Sequence, residues 1–261
     1  MSVNRLELSN SMWNLILTLS KKDLKQRYHG KVLAVLWVAL NPLLHMGVYT
    51  LVFSKMAKFH SEGVPYPLFN LAALTPWIFF STSLQAVCLC LTANQNLITR
   101  LNFPRIAIPF AAVLSHSVHF AVSLLCVVGL LWLYQVPVGP GILVLPLLIF
   151  IQIFFTLGIG LFLSVLHVYC RDLGGALPFI LYAWMLVSPV VYSVQMVPER
   201  LRGWYRLNPM SAMIENYRQI FVHGAFPDWR ALLLLGVIAS CIFVAGIIFF
   251  KNRERDLADF I

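Results

Sequence analysis

Apolar positions fall into six long runs joined by short polar connections, at about residues 32–54, 68–92, 109–134, 142–169, 176–194 and 231–250. At ~1.5 Å rise per residue, ~20 residues cross the hydrocarbon of a bilayer. None of the six runs contains Asp, Glu, Lys or Arg. Residues 106–170 form a stretch of 65 without one such side chain, enough for at least two crossings. The pattern predicts an all-α polytopic membrane protein, one transmembrane domain over residues 1–261 with six transmembrane helices. Pro76 falls inside the second run, and Pro189 breaks the short fifth.

Two stretches follow a helical period without being spans. In residues 9–28, Trp13, Ile16, Leu17, Leu24 and Tyr28 recur at helical spacing among Lys21, Lys22, Asp23 and Lys25, which predicts an amphipathic helix at the membrane interface. Gly30 then offers a hinge into the first span. In residues 195–230, Asn208-Pro209 provides an N-cap and a proline at the first helical position. Met210, Met213, Ile214, Tyr217, Ile220 and Phe221 follow on one face, with Glu215, Arg218 and Gln219 off it. Gly224 supplies a stop. This helix is too charged to span and is expected at a membrane surface or partly inserted, in a region of re-entrant character.

Composition narrows the class. The chain is 60% hydrophobic and 11% charged, with mean hydropathy +0.81, which leaves no room for a separate soluble domain. Six of the 19 basic residues lie in the first 31, so the net charge of +9 reads as positive-inside bias and attraction to anionic lipid, not as a nucleic-acid surface. With both termini cytoplasmic, the inner side carries 12 Lys+Arg against 7 outside. Five of those 7 lie in the 195–230 stretch.

Several chemistries lack their residues. No phosphate-binding G-x-x-x-x-G-K-[ST] loop occurs, so no ATP site is expected on this chain. Thr156, Gly160 and Ser164 form instead a small-residue row suited to helix packing. The scattered acids Asp172, Glu199, Glu215 and Asp228 form no paired motif for a glycan-processing enzyme. No ionisable carboxylate or amine sits at mid-span for ion coupling, and no internal repeat is evident. His116 and His119 share a helical face without a carboxylate or third ligand, which fits buried, hydrogen-bonded histidines better than a proton relay or metal site. The five cysteines form no CxxC and read as packing residues; no cofactor or metal is expected.

A row in the first span is suggestive. Trp37, Asn41, His45, Tyr49 and Phe53 recur every four residues, drifting ~40° per step around the helix. Further aromatics are Trp77, Phe79, Phe80, Tyr182, Trp184 and Tyr192. Two readings stand: an interfacial belt with ordinary packing, or a sugar path in which aromatic faces stack on pyranose rings while Asn and His hydrogen-bond.

An ordered set of motifs resembles the ABC transporter permease subunits that export polysaccharides: Asp23-Leu24-Lys25-Gln26-Arg27-Tyr28, Val35-Leu36-Trp37 with Asn41-Pro42-Leu43, Thr75-Pro76-Trp77-Ile78-Phe79-Phe80, Leu97-Ile98-Thr99-Arg100 with Phe103-Pro104-Arg105, Arg171-Asp172 with Leu177-Pro178-Phe179, Ser188-Pro189-Val190-Val191-Tyr192, and Leu207-Asn208-Pro209-Met210. The branch most similar exports lipid-linked O-antigen; capsule and teichoic-acid exporters share much of the pattern. The resemblance implies a homodimer in the bacterial inner membrane with two copies of a separate cytoplasmic ATPase, which carries the ATP and Mg. It implies ATPase contacts at Arg100, Phe103, Pro104, Arg105, Arg171 and Asp172. It makes residues 195–230 extracytoplasmic gate helices, with Pro209, Met210, Met213 and Tyr217 in the gate. The substrate it implies is an undecaprenyl-pyrophosphate-linked glycan. That pyrophosphate would meet Lys21, Lys25, Arg27, Tyr28 or His29, unless the basic helix serves only to anchor the chain to lipid.

Overall fold

The computed structural model describes residues 5–28, 34–59, 61–100, 103–254 and 256. The expectations at His29 and Gly30, and for the side chain of Tyr28, lie outside the described residues. The described residues are mostly helical, joined by short turns and loops, with no strand among them. The helices are α1 (Arg5–Tyr28), α2 (Ala34–Tyr49), α3 (Tyr66–Ala93), α4 (Gln95–Arg100), α5 (Ala107–Leu133), α6 (Leu145–Tyr169), α7 (Asp172–Val187), α8 (Glu199–Leu207), α9 (Pro209–Phe221) and α10 (Trp229–Arg253). Among the described residues, five helical stretches are long and apolar enough to cross a membrane: Leu36–Met56, Tyr66–Ala93, Ala107–Leu133, Pro140–Tyr169 and Trp229–Arg253.

The bundle is built around α3, which contacts α2, α5, α6, α7 and α9. Two thirds of its apolar window (67%) is buried, against 6% for α2, which lies at the edge. The small-residue row of α6 faces α3: a Cβ on Gly160 would come within 2.8 Å of Val87. On another side of α6, the backbones of α6 and α10 nearly touch. A Cβ on Gly158 would meet Phe243 N at 2.7 Å, and one on Gly246 would meet Gly158 O at 2.7 Å. Glycine permits this approach because it has nothing to displace.

Contacts between distant segments define two ends of the bundle. At one, the Arg105 N–H donates to Glu254 Oε1 at 2.8 Å and its guanidinium to Glu254 O, joining the start of α5 to the end of α10. Gly174 packs there against His167 and Leu89. At the other, Glu62 accepts from Ser193 Oγ and pairs with His223 Nε2 at 3.1 Å, and Gly139 lies against Gly224. Gly224 has φ +60°, the left-handed conformation that its place after α9 requires.

The fifth run departs from expectation. Its helix starts earlier, at Asp172, and ends at Val187, short of residue 194; with 16 residues it is shorter than a span. Ser188 is extended (φ −104°, ψ 146°) because Pro189 follows it, and Pro189 has no N–H to continue the ladder. Val190 and Val191 remain buried as non-helical chain.

The amphipathic reading of α9 also changes. Met210, Met213, Ile214 and Tyr217 have no exposed surface, so this face packs into the core against α3, α6 and α10, not onto a membrane surface. Arg218, assigned to the opposite face, is only 1% exposed. α9 is enclosed on both sides, because the non-helical chain after α7 covers what a single-sided helix would leave to solvent. In α1, Ile16 packs on Ala107 and Ala111 of α5, with Met12, Leu15 and Leu19 beside it, while Trp13 is exposed.

Candidate functional site

The polar–aromatic row of α2 lies on its outward side. Trp37, Asn41 and His45 are exposed; Tyr49 and Phe53 are half-buried. The α-helix gives way to a π-helical stretch at Thr50–Met56, which keeps the row continuous: His45 to Tyr49 is 6.4 Å between centroids, Tyr49 to Phe53 5.9 Å and Phe53 to Phe59 5.3 Å. His45 Nδ1 donates to Asn41 O at 2.9 Å, which leaves Nε2 as the acceptor.

Two cavities of about 340 and 240 Å³ flank α2 and share Asn41, Ile78 and Thr82. The larger also takes Trp37, Arg27, His116, His119 and Ser123. Arg27 Nη2 lies 2.8 Å from His116 Nε2. A guanidinium only donates, so His116 is the acceptor and carries its proton on Nδ1. The nitrogen a metal would need is therefore occupied. The smaller cavity takes His45, Tyr49, Trp77 and, from α7, Tyr182. Together they form a half-open groove with hydrogen-bonding groups at intervals between aromatic faces.

Of the remaining aromatics, Phe80 is a core residue and not a lining one. It has no exposed surface, stacks on Phe155 at 5.6 Å and meets Trp184 edge-on at 5.2 Å. Trp77 is 4% exposed and reaches the smaller cavity by one edge. Trp184 is half-buried and donates Nε1 to Asn208 Oδ1 at 3.0 Å. Tyr192 is bonded to Tyr205 at 2.7 Å.

Behind the groove, α9 is held by polar contacts that account for its buried charge. Once α7 ends, three successive carbonyls lack helical donors, and buried carbonyls must find partners. Arg218 Nη2 donates to Val190 O at 3.0 Å, Tyr66 OH to Val191 O at 2.7 Å, and Arg218 Nη1 to Tyr192 O at 3.1 Å. Arg218 also pairs with Glu215 at 3.1 Å. Burial pushes the Glu215 carboxyl up, and the Arg218 charge offsets this only in part. Asn208 caps α9 through Met210 N at 3.1 Å and donates to Ser188 Oγ at 2.9 Å. Tyr217 OH donates to Gln152 Oε1 at 2.6 Å, and Gln152 Nε2 to Pro76 O at 2.8 Å, which links α9, α6 and α3. Sequence reading missed both Arg218 and Gln152 as structural hubs. The signal available for Gln152 was a lone amide in a run that is otherwise nearly all apolar.

Residues 14–222 match the ABC-2 type transporter family. The chain belongs to that family. Among its relatives, the O-antigen export system permease protein RfbA of Myxococcus xanthus is 30% identical, covering 95% of this chain and 95% of the relative. The protein of the same name from Klebsiella pneumoniae is 26% identical over 96% of each. The polysialic acid transport protein KpsM of Escherichia coli is 22% identical over 90% of this chain and 91% of its own.

Within this ABC-2 chain, the residues assigned to ATPase contact gather at the Arg105–Glu254 end. Arg100, Pro104, Arg171 and Asp172 are exposed there, and Phe103 is half-buried against the core. Arg105 differs from them, since it is engaged by Glu254. Lys21 and Lys25 are exposed on α1, and Arg27 reaches the larger cavity. Of the residues assigned to the gate, Met210, Met213 and Tyr217 are buried and Pro209 is half-buried at the start of α9.

Proposed function

We propose that this ABC-2 chain is the transmembrane permease subunit of an ATP-driven exporter that moves a lipid-linked polysaccharide of O-antigen type across the bacterial inner membrane. The near full-length similarity to O-antigen export permeases carries this reading. The groove along α2 supports it. A polymer that must slide needs repeated weak stacking and hydrogen-bonding places, which Trp37, Asn41, His45, Tyr49 and Tyr182 offer. The KpsM relatives favour a second reading, a capsule-type polysaccharide, at lower identity.

The assembly in this reading is a homodimer with two copies of a separate ABC ATPase, which binds the ATP and Mg. α2 and α7 face the second copy, because the half-open groove along α2, with Tyr182 of α7 on its wall, is closed by a further protein surface. The chain crosses six times, the fifth crossing being α7 completed by the non-helical residues 188–193. Both termini are cytoplasmic, α1 lies at the inner interface, and α8–α9 form the extracytoplasmic gate. Lys21, Lys25, Arg27 and His29 meet the pyrophosphate of the carrier lipid. Arg100, Phe103, Pro104, Arg171 and Asp172 touch the ATPase, with Arg105 shaping that surface from behind.

Deletion of the protein followed by fractionation of glycan tests the function. Lipid-linked polymer accumulating in the cytoplasmic leaflet is the expected outcome. Normal polymer on the cell surface, or no polymer synthesis at all, would refute it.

A further inference from the structure

A third cavity, of about 570 Å³, lies between α8, α9 and α10 at the Glu62–His223 end, away from the α2 groove. Its floor is Ala231, Leu234, Leu235 and Ile238, two turns of α10 or roughly 10 Å of apolar surface. Leu234 is 57% exposed, so the cavity opens on the flank of the bundle. Its rim is charged in both senses. Arg202, held by Val197 O and Gln195 O, stands with Arg230 on the positive side. Arg230 makes no ion pair among the described residues. Glu215 and Asp228 stand on the negative side, each committing one oxygen to the protein, Oε1 to Arg218 and Oδ1 to the backbone of Arg230.

Two further features point to a ligand. The first turns of α9 and α10 both reach the cavity, at Pro209–Ser211 and at Asp228–Ala231, and their positive ends favour a phosphate. Ser211 lines the cavity, is 3% exposed and has no hydrogen-bond partner for its Oγ. A buried hydroxyl without a partner is costly unless something supplies one.

We propose that this cavity binds one zwitterionic phospholipid with an ammonium headgroup. Its phosphate meets Arg230, Arg202 and Ser211; its ammonium meets Glu215 and Asp228; an acyl chain lies along Leu234, Leu235 and Ile238. Glu215 is already paired with Arg218, so its other oxygen serves the ammonium as an acceptor while Asp228 supplies the opposing charge. With Arg202 and Arg230 opposite, a headgroup of both signs fits the rim better than one of a single sign. A quaternary ammonium satisfies it poorly, because it has no N–H to donate to the carboxylates. The site does not depend on what the permease exports.

The test uses the full chain reconstituted in nanodiscs of phosphatidylethanolamine, phosphatidylcholine or phosphatidylglycerol. Lipid retained after detergent extraction is then counted by native mass spectrometry. One tightly held phosphatidylethanolamine per chain is expected, with about tenfold preference over the other two. Arg230→Gln on the exposed rim should abolish the preference while leaving the melting temperature of the delipidated protein unchanged, and Ala231→Leu should fill the floor and exclude the lipid. Equal retention of all three lipids, a preference for phosphatidylglycerol, or an unaltered preference in both variants would overturn the proposal.

Discussion

The Arg218 guanidinium lies 3.8 Å from the centroid of the Phe69 ring, joining α9 to the first turn of α3. The same group closes on the carbonyls of Val190 and Tyr192 and on Glu215. Arg218→Leu removes a buried cation but strands two carbonyls and a half-buried carboxylate. Breaking such an arrangement costs about 3–5 kcal/mol. Arg218→Lys should recover only part of this, because an ammonium lacks the planar fork that reaches both carbonyls and stacks on Phe69. Melting curves in detergent should rank wild type above Lys and Lys above Leu.

The same cluster sets a pH dependence. Burial raises the Glu215 carboxyl above its ordinary 4.5, so the folded state binds its proton more tightly than the unfolded chain. Stability from this group is therefore fully present below the unfolded value and is lost as pH rises through the folded one. Asp23 on α1 is raised by burial too and acts in the same sense. Glu62 and His223 face the cluster and Arg218 pairs with it, and their charges modulate how far the Glu215 carboxyl moves. Glu215→Gln should make Tm less sensitive to pH as pH rises above the carboxyl's ordinary 4.5. An unchanged slope in that variant would remove Glu215 as the cause.

What the sequence disclosed follows from what periodicity encodes. Span-length apolar runs identify the long helices, and Asn208-Pro209 marks the start of α9 through local chemistry. A helical wheel presumes one covered face, so Arg218 was assigned to the uncovered one. Its cover is residues 188–193, non-helical chain whose place is set by Pro189 and by long-range contacts. Phe80 and Trp37 are both aromatics in apolar runs, and nothing local separates core from groove. Arg27 and His116 meet across 89 positions, a pairing that no spacing rule reaches.

The groove and the core should separate experimentally. Trp37→Ala and Asn41→Ala alter exposed side chains, so stability should change by no more than about 0.5 kcal/mol. Export should nevertheless fall if the row is the polymer path. Phe80→Ala empties a fully buried site and should cost about 3–5 kcal/mol, lowering export only through loss of folded protein. Surface glycan normalised to permease abundance distinguishes the two. Normal export by a Trp37→Ala, Asn41→Ala, His45→Ala triple variant would exclude the groove.

The α6–α10 contact predicts intolerance of small changes. Gly246→Ala places a methyl 2.7 Å from Gly158 O, and Gly158→Ala places one 2.7 Å from Phe243 N, in each case against backbone that cannot rotate away. Overpacking of this kind costs about 1–3 kcal/mol. Gly47→Ala, with nothing within 4 Å, should by contrast stabilise by about 0.5–1 kcal/mol, since the α2 backbone there is helical and open. Tm values of the three variants in one detergent check the ordering.

Orientation can be read at two exposed positions on opposite ends of the bundle. Arg171 sits beside the start of α7, at the end where Gly174 meets Leu89, and His223 follows α9 at the end held by Glu62. Arg218 is unsuitable as a reporter because it is buried. In a variant lacking the native cysteines, a single His223→Cys should react with an impermeant maleimide in intact spheroplasts. Arg171→Cys should react only after the membrane is opened. His223 also pairs with Glu62, so Glu62→Gln should speed labelling at a neighbouring exposed site such as Ala225→Cys if that pair holds the loop against the bundle. The opposite accessibility at the two positions would reverse the orientation and place α8 and α9 on the ATPase side, which would exclude them as an extracytoplasmic gate.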